Sequence, residues 1–547
     1  MSQQNTSAGV YTAENDLSQR GTPVLSSTGA IVVESAKGEV GIPIRVTDKS
    51  DLKDKFGIKD FAKYGFGLHC AEHFLAQSKS LYIVRAVDAE TALTAGAYLS
   101  VDDPTAADPV IKLINFDGGS HNPQGVKGDP AKTIGFVKGT DGLGFVLGAF
   151  YATSPGEWSK QISIQIRPSA PPGTGIGEFS NVNHFYVDVF LNYGGSASLP
   201  VESFLCSRTV ELDAEQQQMF IEDRINSNSK YIRFKNNSEC PIIRHTHSCI
   251  ERLDGGADGD RVKTHEIANA WDNFGDTEFL DVQIMINAGY CNESVHRRMV
   301  AIAAQRGDAI AVLDYAREFK LAARAIHYRR NILNISSSYG AMYGPWAKVK
   351  DDVSGRDIWV PPSGLVAAQY AYTDRVRAYY WAPAGLTRGQ IKVLDLDAKY
   401  NVGDRNALDQ AQINVIRKIP GRGFVIMGAE TLQTHLSGFS NVNVRRLVNG
   451  LKTAIRKSAI TSNFNPNDEL ERLKLKDMVD AYLRPIKSGR GVYAWETVCD
   501  ERNNTPDVVA NNDLKLDLIL DAAIPGKRIH IGADIRNYGS SLSFNEN

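Results

Sequence analysis

The fold class is decided by the stretch Leu280-Asp281-Val282-Gln283-Ile284-Met285-Ile286 and by the residues that follow it. This apolar run predicts a buried strand, the pattern of residues 294–305 predicts a helix, and Ala309-Ile310-Ala311-Val312-Leu313-Asp314 predicts a second strand. A strand, a helix and a strand in this order are typical of a βαβ unit, whose two strands lie parallel in one sheet. The sequence therefore predicts an α/β fold built on a parallel sheet.

The same alternation continues on both sides of this unit. Upstream, apolar runs at residues 30–33 and 81–87 predict buried strands, and residues 51–56 and 66–77 between them predict helices. The remaining strands are predicted at residues 145–152, 162–167, 185–191, 424–427 and 514–520, and the remaining helices at residues 215–225, 261–274, 442–460 and 468–485. In the last of these helices, the residues predicted to form an apolar core-facing stripe are Leu470, Leu473, Met478, Tyr482 and Leu483.

The composition is that of an ordinary globular protein. The chain has 547 residues, of which 42% are hydrophobic and 23% charged, and at ~150 residues per domain this length predicts about three or four domains. Its 61 basic and 63 acidic residues give a net charge of −2, so no global field would attract nucleic acid or an anionic membrane. No apolar run reaches the ~18 residues of a membrane span, and residues 1–19 lack the pattern of a signal peptide. The six cysteines are irregularly spaced, which predicts reduced thiols.

Two segments carry residues of the types that bind metal ions. His245, His247 and Cys249, with Cys240 upstream, alternate as residues on one face of a strand would, but their spacing matches no standard structural zinc module. Asp254-Gly255-Gly256-Ala257-Asp258-Gly259-Asp260 gathers three carboxylates, which calcium prefers, but lacks the ligand pattern and terminal Glu of an EF-hand. We therefore expect no metal and no cofactor, and we interpret both segments as ordinary strand or loop residues.

The sequence also lacks a recognisable catalytic or nucleotide-binding motif. Gly173-Thr174-Gly175-Ile176-Gly177 follows Pro171 and Pro172 and is not the G-x-G-x-x-G of a dinucleotide-binding loop. His265-Glu266-Ile267-Ala268-Asn269 lacks the second histidine of a zinc protease motif, and neither a Walker motif nor a G-x-S-x-G elbow is present. The protein is therefore not predicted to be an enzyme.

The predicted helix at residues 442–460 has an unusual charge pattern. It carries no acidic residue, and its basic residues are Arg445, Arg446, Lys452, Arg456 and Lys457. Most charge runs are solvated faces, but a basic helix on a near-neutral protein can dock an acidic partner surface by complementarity. Arg445 and Arg446 are alternatively expected to form salt bridges within their own domain.

The chain ends have the composition of extended arms. Residues 1–20 are rich in Ser, Gln, Asn and Thr, with an apolar pair at Val10-Tyr11, so this segment cannot bury enough apolar surface to order alone. We expect it to order on a partner by adding a strand to the partner's sheet. Residues 527–535, which include Ile529 and Ile531, are expected to act in the same way.

Collinear stretches over nearly the whole chain resemble the contractile-tail sheath proteins of myovirus-type bacteriophages. Near the start, Gly9-Val10-Tyr11 resembles the arm of the family, although Ala8 stands where the family usually has proline. The late motifs carry most of the resemblance, and they are Trp359-Val360-Pro361-Pro362-Ser363-Gly364, Tyr372-Thr373-Asp374, Trp381-Ala382-Pro383-Ala384-Gly385, Asn443-Val444-Arg445-Arg446-Leu447 and Cys499-Asp500-Glu501-Arg502-Asn503-Asn504-Thr505-Pro506. Residues 89–145 match least, as expected of the variable outward insertion of the family.

The resemblance implies a multidomain architecture of mixed α/β and α+β type. A discontinuous middle domain would carry an inserted, mostly-β outer domain and precede an α+β C-terminal inner domain, with an extended arm at each end. The expected limits are 1–20 for the N-terminal arm, 21–88 and 146–345 for the middle domain, 89–145 for the insertion, 346–526 for the inner domain and 527–547 for the C-terminal arm.

The function implied by the resemblance is that of a structural subunit. Sheath subunits form hexameric rings stacked helically around a tail tube, and contraction drives the tube through the host envelope for genome ejection. The implied partners are further copies of the chain, the tail tube protein, and the baseplate and tail terminator proteins, with no nucleic acid and no membrane insertion. The basic helix would face the tube. The sheath would be assembled in the host cytoplasm and would belong to the virion.

Two alternatives stay open. The chain could form the sheath of a phage-tail-like bacteriocin or of a secretion system, although the secretion sheath is usually built from two chains and this single chain resembles both sheath regions. More distantly, an α/β enzyme would fit the predicted fold but would need a site that the sequence does not reveal.

Overall fold

A computed structural model of the chain describes residues 27–103, 110–116, 134, 145–169, 184–194, 198–213, 215–238 and 248–527. Within these residues the chain forms two compact units, a larger one that ends at Thr453 and a smaller one that begins at Ala454. The larger unit contains a mixed sheet, a β-sandwich and the helices that cover the sheet. The smaller unit contains helices and a two-stranded sheet.

A nine-stranded sheet forms the base of the larger unit. Numbered in chain order, its strands lie in the spatial order β17 (Gln390–Ile391), β20 (Gly423–Ile426), β19 (Ile413–Ile419), β14 (Gly340–Gly344), β13 (Ile310–Asp314), β12 (Ile284–Ile286), β1 (Gly29–Val33), β3 (Leu81–Arg85) and β2 (Ile44–Val46). The six strands from β19 to β3 are parallel, and the outer strands β2, β20 and β17 pair antiparallel. The predicted parallel sheet and its βαβ unit are therefore confirmed.

The strands of this sheet are continuously apolar because both of their faces are covered. All five residues of β1 and all five of β13 are buried. Neighbouring residues of one strand pack into different cores, since Ile31 lies in the hydrophobic cluster on one face and Val32 in the cluster on the other. This two-sided burial accounts for the unbroken apolar runs in the sequence.

The larger unit contains ten described α-helices, some of which begin at a capping side chain. They are α1 (Lys49–Phe56), α2 (Phe61–Tyr64), α3 (Gly67–Leu75), α4 (Ile221–Asn228), α5 (Thr264–Ala270), α6 (Glu293–Arg306), α7 (Ala322–His327), α8 (Pro362–Val376), α9 (Val402–Gln410) and α10 (Val442–Ala459), whose last turns belong to the smaller unit. The side chain of Asn292 accepts a hydrogen bond from the Ser294 backbone N–H at the start of α6. At its end, Gly307 takes a left-handed φ of 71°, which a glycine adopts without strain.

Two antiparallel four-stranded sheets form a β-sandwich in the same unit. One has the order β10 (Ile232–Asn236), β6 (Phe145–Ala152), β4 (Gly96–Val101) and β5 (Ile111–Asn115), and the other β11 (Cys249–Arg252), β7 (Ile162–Pro168), β8 (His184–Leu191) and β9 (Glu202–Ser207). Residues of both sheets share one hydrophobic core, in which Leu99 and Phe150 lie with Ile164 and Val187. A small third sheet consists of β16 (Asp357–Val360), β15 (Ala347–Lys350) and β18 (Asp395–Leu396).

Strands pair across two of the expected domain boundaries. The strands β4 and β5, from the segment predicted as an insertion, pair with β6 and share its sandwich, which extends to residue 252. The expected boundary at residue 346 falls inside the larger unit, because β14 before it pairs with β19 after it. The two compact units of the described chain meet between residues 453 and 454.

The smaller unit consists of α11 (Glu469–Ser488), β21 (Val492–Val498), α12 (Pro506–Ala510) and β22 (Asp517–Ala522). The Asp468 side chain caps α11 by accepting from the Glu471 backbone N–H. The predicted core stripe of α11 is wrong for Leu470 and Leu473, which are 74% and 53% exposed. The buried apolar residues of this helix are Leu475, Val479, Leu483 and Ile486, one turn or less apart on a different face.

Candidate assembly surfaces

Among the described residues, no group of three His, Cys, Asp or Glu side chains is placed to hold a metal ion. Cys249 lies in β11 opposite Ile166, and burial raises the pKa of its thiol to about 11. Cys240, His245 and His247 lie outside the described residues, as does the glycine-rich stretch at 173–177. The five cysteines that the structure describes are free thiols.

The acidic loop at residues 254–260 is used within the fold. Asp258 accepts hydrogen bonds from the Tyr64 hydroxyl at 2.7 Å and the Glu157 backbone N–H at 2.8 Å, and it pairs with Lys63 at 2.6 Å. Burial by itself would raise the pKa of Asp258, but the hydrogen bonds from Lys63 and Tyr64 bring it below its usual range. This carboxylate therefore joins the loop to α2 and to the turn that connects β6 and β7.

The carboxyl edge of the parallel sheet is where ligands of α/β enzymes usually bind. A cavity of about 480 Å³ lies there beside Glu34, which follows β1. The Glu34 carboxylate is paired with Arg261, with Nε 3.0 Å from Oε2, and also accepts from the Val262 backbone N–H at 3.4 Å. The charged group at this edge is thus engaged by neighbours in the same chain.

Two of the late motifs meet in the core of the larger unit. The Arg446 guanidinium forms a bidentate ion pair with Asp374, with distances of 2.6 and 2.8 Å, and both side chains are almost fully buried. Arg446 also lies over the ring of Tyr370 at 4.9 Å. The motif at 372–374 and the motif at 443–447 therefore fix α8 against α10.

Arg445 is also buried. Its guanidinium lies between the rings of Tyr339 and Phe439, at 4.2 and 4.0 Å, and donates to the Ser338 hydroxyl. Arg445 and Arg446 are therefore not on the surface that the sequence suggested for them. Arg446 forms the salt bridge within the larger unit that was the alternative prediction. Arg445 is also held within this unit, but by two aromatic rings and a hydroxyl.

The other three basic residues of α10 lie nearer to solvent. Lys452 and Arg456 are exposed, and Lys457 is half-buried. Lys452 belongs to the larger unit, whereas Arg456 and Lys457 belong to the smaller one.

The motif at residues 359–364 positions the start of α8. The buried Asp314 carboxylate accepts from the backbone N–H groups of Ser363, at 2.6 Å, and Gly289, at 3.0 Å. Burial raises the pKa of Asp314 to about 6. Gly364 leaves room for α3, since a Cβ there would lie 2.6 Å from the Cα of Cys70. The motif thus serves the close packing of two helices.

The last motif closes the two-stranded sheet of the smaller unit. The Asn504 amide donates to the Lys515 carbonyl and accepts from the Lys515 backbone N–H, both at 2.8 Å. Asn503 donates to the Val498 carbonyl at 2.8 Å. These amides hold the connection that returns the chain from β21 to β22, which pair with Trp495 opposite Leu520.

The two-stranded sheet has two open edges within the part of the chain that the structure describes. No described strand other than β21 and β22 belongs to it. On β21 Tyr493 is 62% exposed, and on β22 Ile519 is 61% exposed. An open edge presents unpaired backbone N–H and C=O groups that a further strand can bind. This sheet is therefore suited to accept a strand from another chain.

The sequence also predicted four residues that donate strands to a neighbouring copy. Val10, Tyr11, Ile529 and Ile531 all lie outside the described residues. The strand β21 was not among those predicted from the sequence. Its signal is present in Val492-Tyr493-Ala494-Trp495-Glu496-Thr497-Val498, which is rich in aromatic and β-branched residues.

None of the described helices combines the length and the apolar character needed to cross a bilayer.

Comparison with known proteins identifies residues 260–432 with the family model of the phage tail sheath protein central domain. The tail sheath protein of Vibrio phage KVP40 is 40% identical over 182 residues, which cover 33% of this chain and 27% of that protein. The tail sheath protein of Enterobacteria phage T4 is 33% identical over 288 residues, which cover 49% of this chain and 44% of that protein. The chain thus spans less than half the length of these relatives.

A solved structure extends the likeness in fold to most of the chain. The sheath tail protein of Listeria innocua superposes with a TM-score of 0.53 at 12% identity, covering 89% of this chain and 91% of that one. The predicted resemblance to contractile-tail sheath proteins is confirmed by the family match and by the two phage relatives.

Proposed function

We propose that this chain is the structural subunit of a contractile phage tail sheath. It polymerises as stacked hexameric rings around the tail tube and contracts to drive the tube through the host envelope for genome ejection. The observation that carries the proposal is the two-stranded sheet of β21 and β22, whose edges are both open in the described chain. The tail sheath proteins of two phages, which this chain resembles, support it.

The chain ends supply the strands that complete this sheet in neighbouring copies. Val10 and Tyr11 of one arm and Ile529 and Ile531 of the other add to the open edges, where backbone hydrogen bonds give affinity and alternate side chains give specificity. Such an interface joins two different surfaces of the same chain, so it propagates from copy to copy. When it does not close within a ring, it produces a helical array.

The basic helix α10 contributes to contact with the tail tube. Because Arg445 and Arg446 are buried, the residues of this helix that lie nearer to solvent carry the contact, and these are Lys452, Arg456 and Lys457. Exposed charges of one sign select and orient a partner of the opposite sign. The baseplate and tail terminator proteins bind the two ends of the array. The chain acts without nucleic acid, membrane insertion or catalysis, and it joins the virion after assembly in the host cytoplasm.

Removal of residues 1–20 tests the proposal. The untruncated chain mixed with tail tubes should form long rods in electron micrographs. The truncated chain should stay folded but form none, because the acceptor sheets are left incomplete. Val10→Ser with Tyr11→Ser should reproduce the defect. Leu199→Ser with Val210→Ser is the matched control, since these side chains are exposed apolar residues of the sandwich region. Contractile rods of normal length from the truncated protein would refute the proposal.

A further inference from the structure

The outer edge of β22, which pairs with no further strand among the described residues, leaves part of the sheet uncovered. The face that packs on α11 is identified by Trp495 and Thr497, which both donate a hydrogen bond to Asp480 of that helix at 2.7 Å. Directly opposite residues of paired strands share a face, and Leu520 and Leu518 stand opposite these two. Both leucines are only half-buried. A further strand beside β22 would complete their burial.

The chain that follows β22 has a pattern that fits this edge. In Arg528-Ile529-His530-Ile531 basic and apolar residues alternate, as they do on a strand with one apolar face. The two isoleucines would lie on one face of such a strand, and Arg528 and His530 on the other. These four residues lie outside the described chain, which reaches Lys527.

The connection between β22 and this segment has the length and composition of a hairpin loop. Ala523-Ile524-Pro525-Gly526 separates the last residue of β22 from Lys527, and four-residue loops are common in β-hairpins. Pro525 has no N–H for a sheet ladder, and a Pro-Gly pair is typical of turns. None of the four loop residues belongs to a strand in the structure. The chain can therefore fold back along β22 without a change in the described strands.

A loop of four residues determines which side chains meet. In the antiparallel pairing that it produces, Ile529 would lie opposite Leu520 and Ile531 opposite Leu518. Both isoleucines would then cover the two half-buried leucines on the face that packs on α11. A slip by one residue would turn the isoleucines to the exposed face, so burial selects this register.

The charges of the exposed face select the same register. Asp521 is exposed on β22, and in this pairing it would lie directly opposite Arg528. Ile519, which is also exposed, would lie opposite His530. Residues 1–19 contain no Lys, Arg or His, so the N-terminal arm offers no such partner to Asp521. Charge complementarity therefore favours the segment that follows β22 as the occupant of this edge.

We propose that, in a subunit that has not assembled, residues 528–531 pair with β22 of their own chain and close its edge. This inference rests on the proposed sheath function, in which the same residues leave to complete the sheet of a neighbouring copy. The short connection holds the segment at a high effective concentration beside its own strand, so self-pairing prevails between dilute subunits. Exchange replaces one set of strand contacts by an equal set, as in domain swapping. Self-pairing thus restrains polymerisation until contacts with the tube and with neighbouring subunits favour the exchange.

A disulfide across the pair of Ile519 and His530 tests the self-pairing. Because these side chains would lie opposite each other, Ile519→Cys with His530→Cys should form a bond within one chain when dilute protein is oxidised. Peptide mapping without reduction detects this bond. The matched control is Ile519→Cys with Ile529→Cys, whose second cysteine would lie on the opposite face and should stay largely reduced.

The closed disulfide should also stop assembly. The oxidised I519C/H530C protein should form no rods on tail tubes in electron micrographs, because its segment cannot leave β22, and reduction should restore the rods. Asp521→Cys with Arg528→Cys, a second pair on the same face, should behave in the same way and replaces the first pair if that variant does not fold.

The outcomes separate this inference from the sheath function. A disulfide that forms only between two chains, or equally in the control pair, would overturn the self-pairing and leave the sheath function standing. Rods of normal length from the oxidised protein would overturn the exchange of this segment. Failure of the unmodified protein to assemble on tubes would instead remove the sheath proposal, and with it this inference.

Discussion

His296 makes the core of the larger unit sensitive to acid. It is fully buried on α6, its Nδ1 lies 2.8 Å from the Tyr328 hydroxyl, and burial lowers the pKa of its imidazole to about 3. The unfolded chain takes up this proton near pH 6.5, whereas the folded chain stays neutral until about pH 3. The stability that neutral His296 contributes is therefore complete above pH 6.5 and falls by about 1.4 kcal/mol per pH unit below it.

Replacing His296 by Phe should flatten this pH dependence. The variant should be less stable at pH 7, because the Tyr328 hydroxyl loses its partner, but its urea midpoint should fall less steeply than that of the unmodified protein between pH 6.5 and 4. The matched control is His265→Phe, at an exposed position of α5, which should keep the original slope. Parallel curves for H296F and the unmodified protein would contradict the assignment.

Asp314 acts in the opposite sense. Its folded pKa of about 6 lies above its ordinary value, so ionisation of this group is less favourable in the folded chain than in the unfolded one. The contribution of Asp314 is therefore favourable at low pH and is lost as pH rises through about 6. The two buried groups partly offset each other in acid, and the slope measured for the unmodified protein is smaller than that of His296 alone.

At the scale of the elements, α8 and α10 are joined by the ion pair of Asp374 and Arg446. Both side chains are 4% exposed or less, so removal of either leaves the other charge buried without its partner. Asp374→Ala should destabilise the larger unit by about 3–5 kcal/mol, and Asp374→Leu combined with Arg446→Met should recover most of the loss. Urea denaturation followed by tryptophan fluorescence measures both.

An exposed ion pair provides the control for this prediction. Arg298 and Asp272 form a comparable pair, but their side chains are 50% and 42% exposed. Asp272→Ala should cost less than about 1 kcal/mol because water replaces the lost partner. A cost for Asp374→Ala as small as that for Asp272→Ala would show that the buried pair does not hold the helices together.

The sequence predicts the bounds of an element well when its hydrophobic pattern fits only one kind of secondary structure. The run at 145–152 is the full extent of β6, and α6 extends one residue beyond the predicted 294–305 at each end. It fails on α11, where Leu470 and Leu473 repeat as regularly as the buried Leu475 and Val479. Periodicity identifies an apolar face, but only tertiary contacts decide which of two faces is buried.

The basic surface of α10 was only partly predictable from the sequence, again because tertiary contacts decide which residues are buried. The absence of acid from α10 is visible in the sequence, and it points to a partner surface for Lys452 and Arg456. The sequence does not show that Arg445 and Arg446 are buried, because their partners, Ser338 and Asp374 respectively, are distant in sequence.

At the scale of the whole molecule, the two units differ in how complete they are. The larger unit buries its central strands on both faces within the described chain. The smaller unit has a sheet of only two strands, which is marginal alone and depends here on the packing of α11. Completion of this sheet by strands from neighbouring copies would couple its stability to assembly, so the lattice and the unit would be stabilised together.

The proposed sheath must also store energy in its extended state. The heat released on contraction measures this stored energy. Subunit bodies that move as rigid bodies, linked by strands exchanged between neighbours, can gain contact area without the lattice coming apart. If contraction adds contacts, assembled tails heated in a scanning calorimeter should show one exothermic transition that does not return on cooling. Tails contracted beforehand are the matched control, and they should show no such transition. An endothermic contraction that reverses spontaneously would mean that the extended sheath is the more stable state, and the energy for tube movement would then have to come from elsewhere.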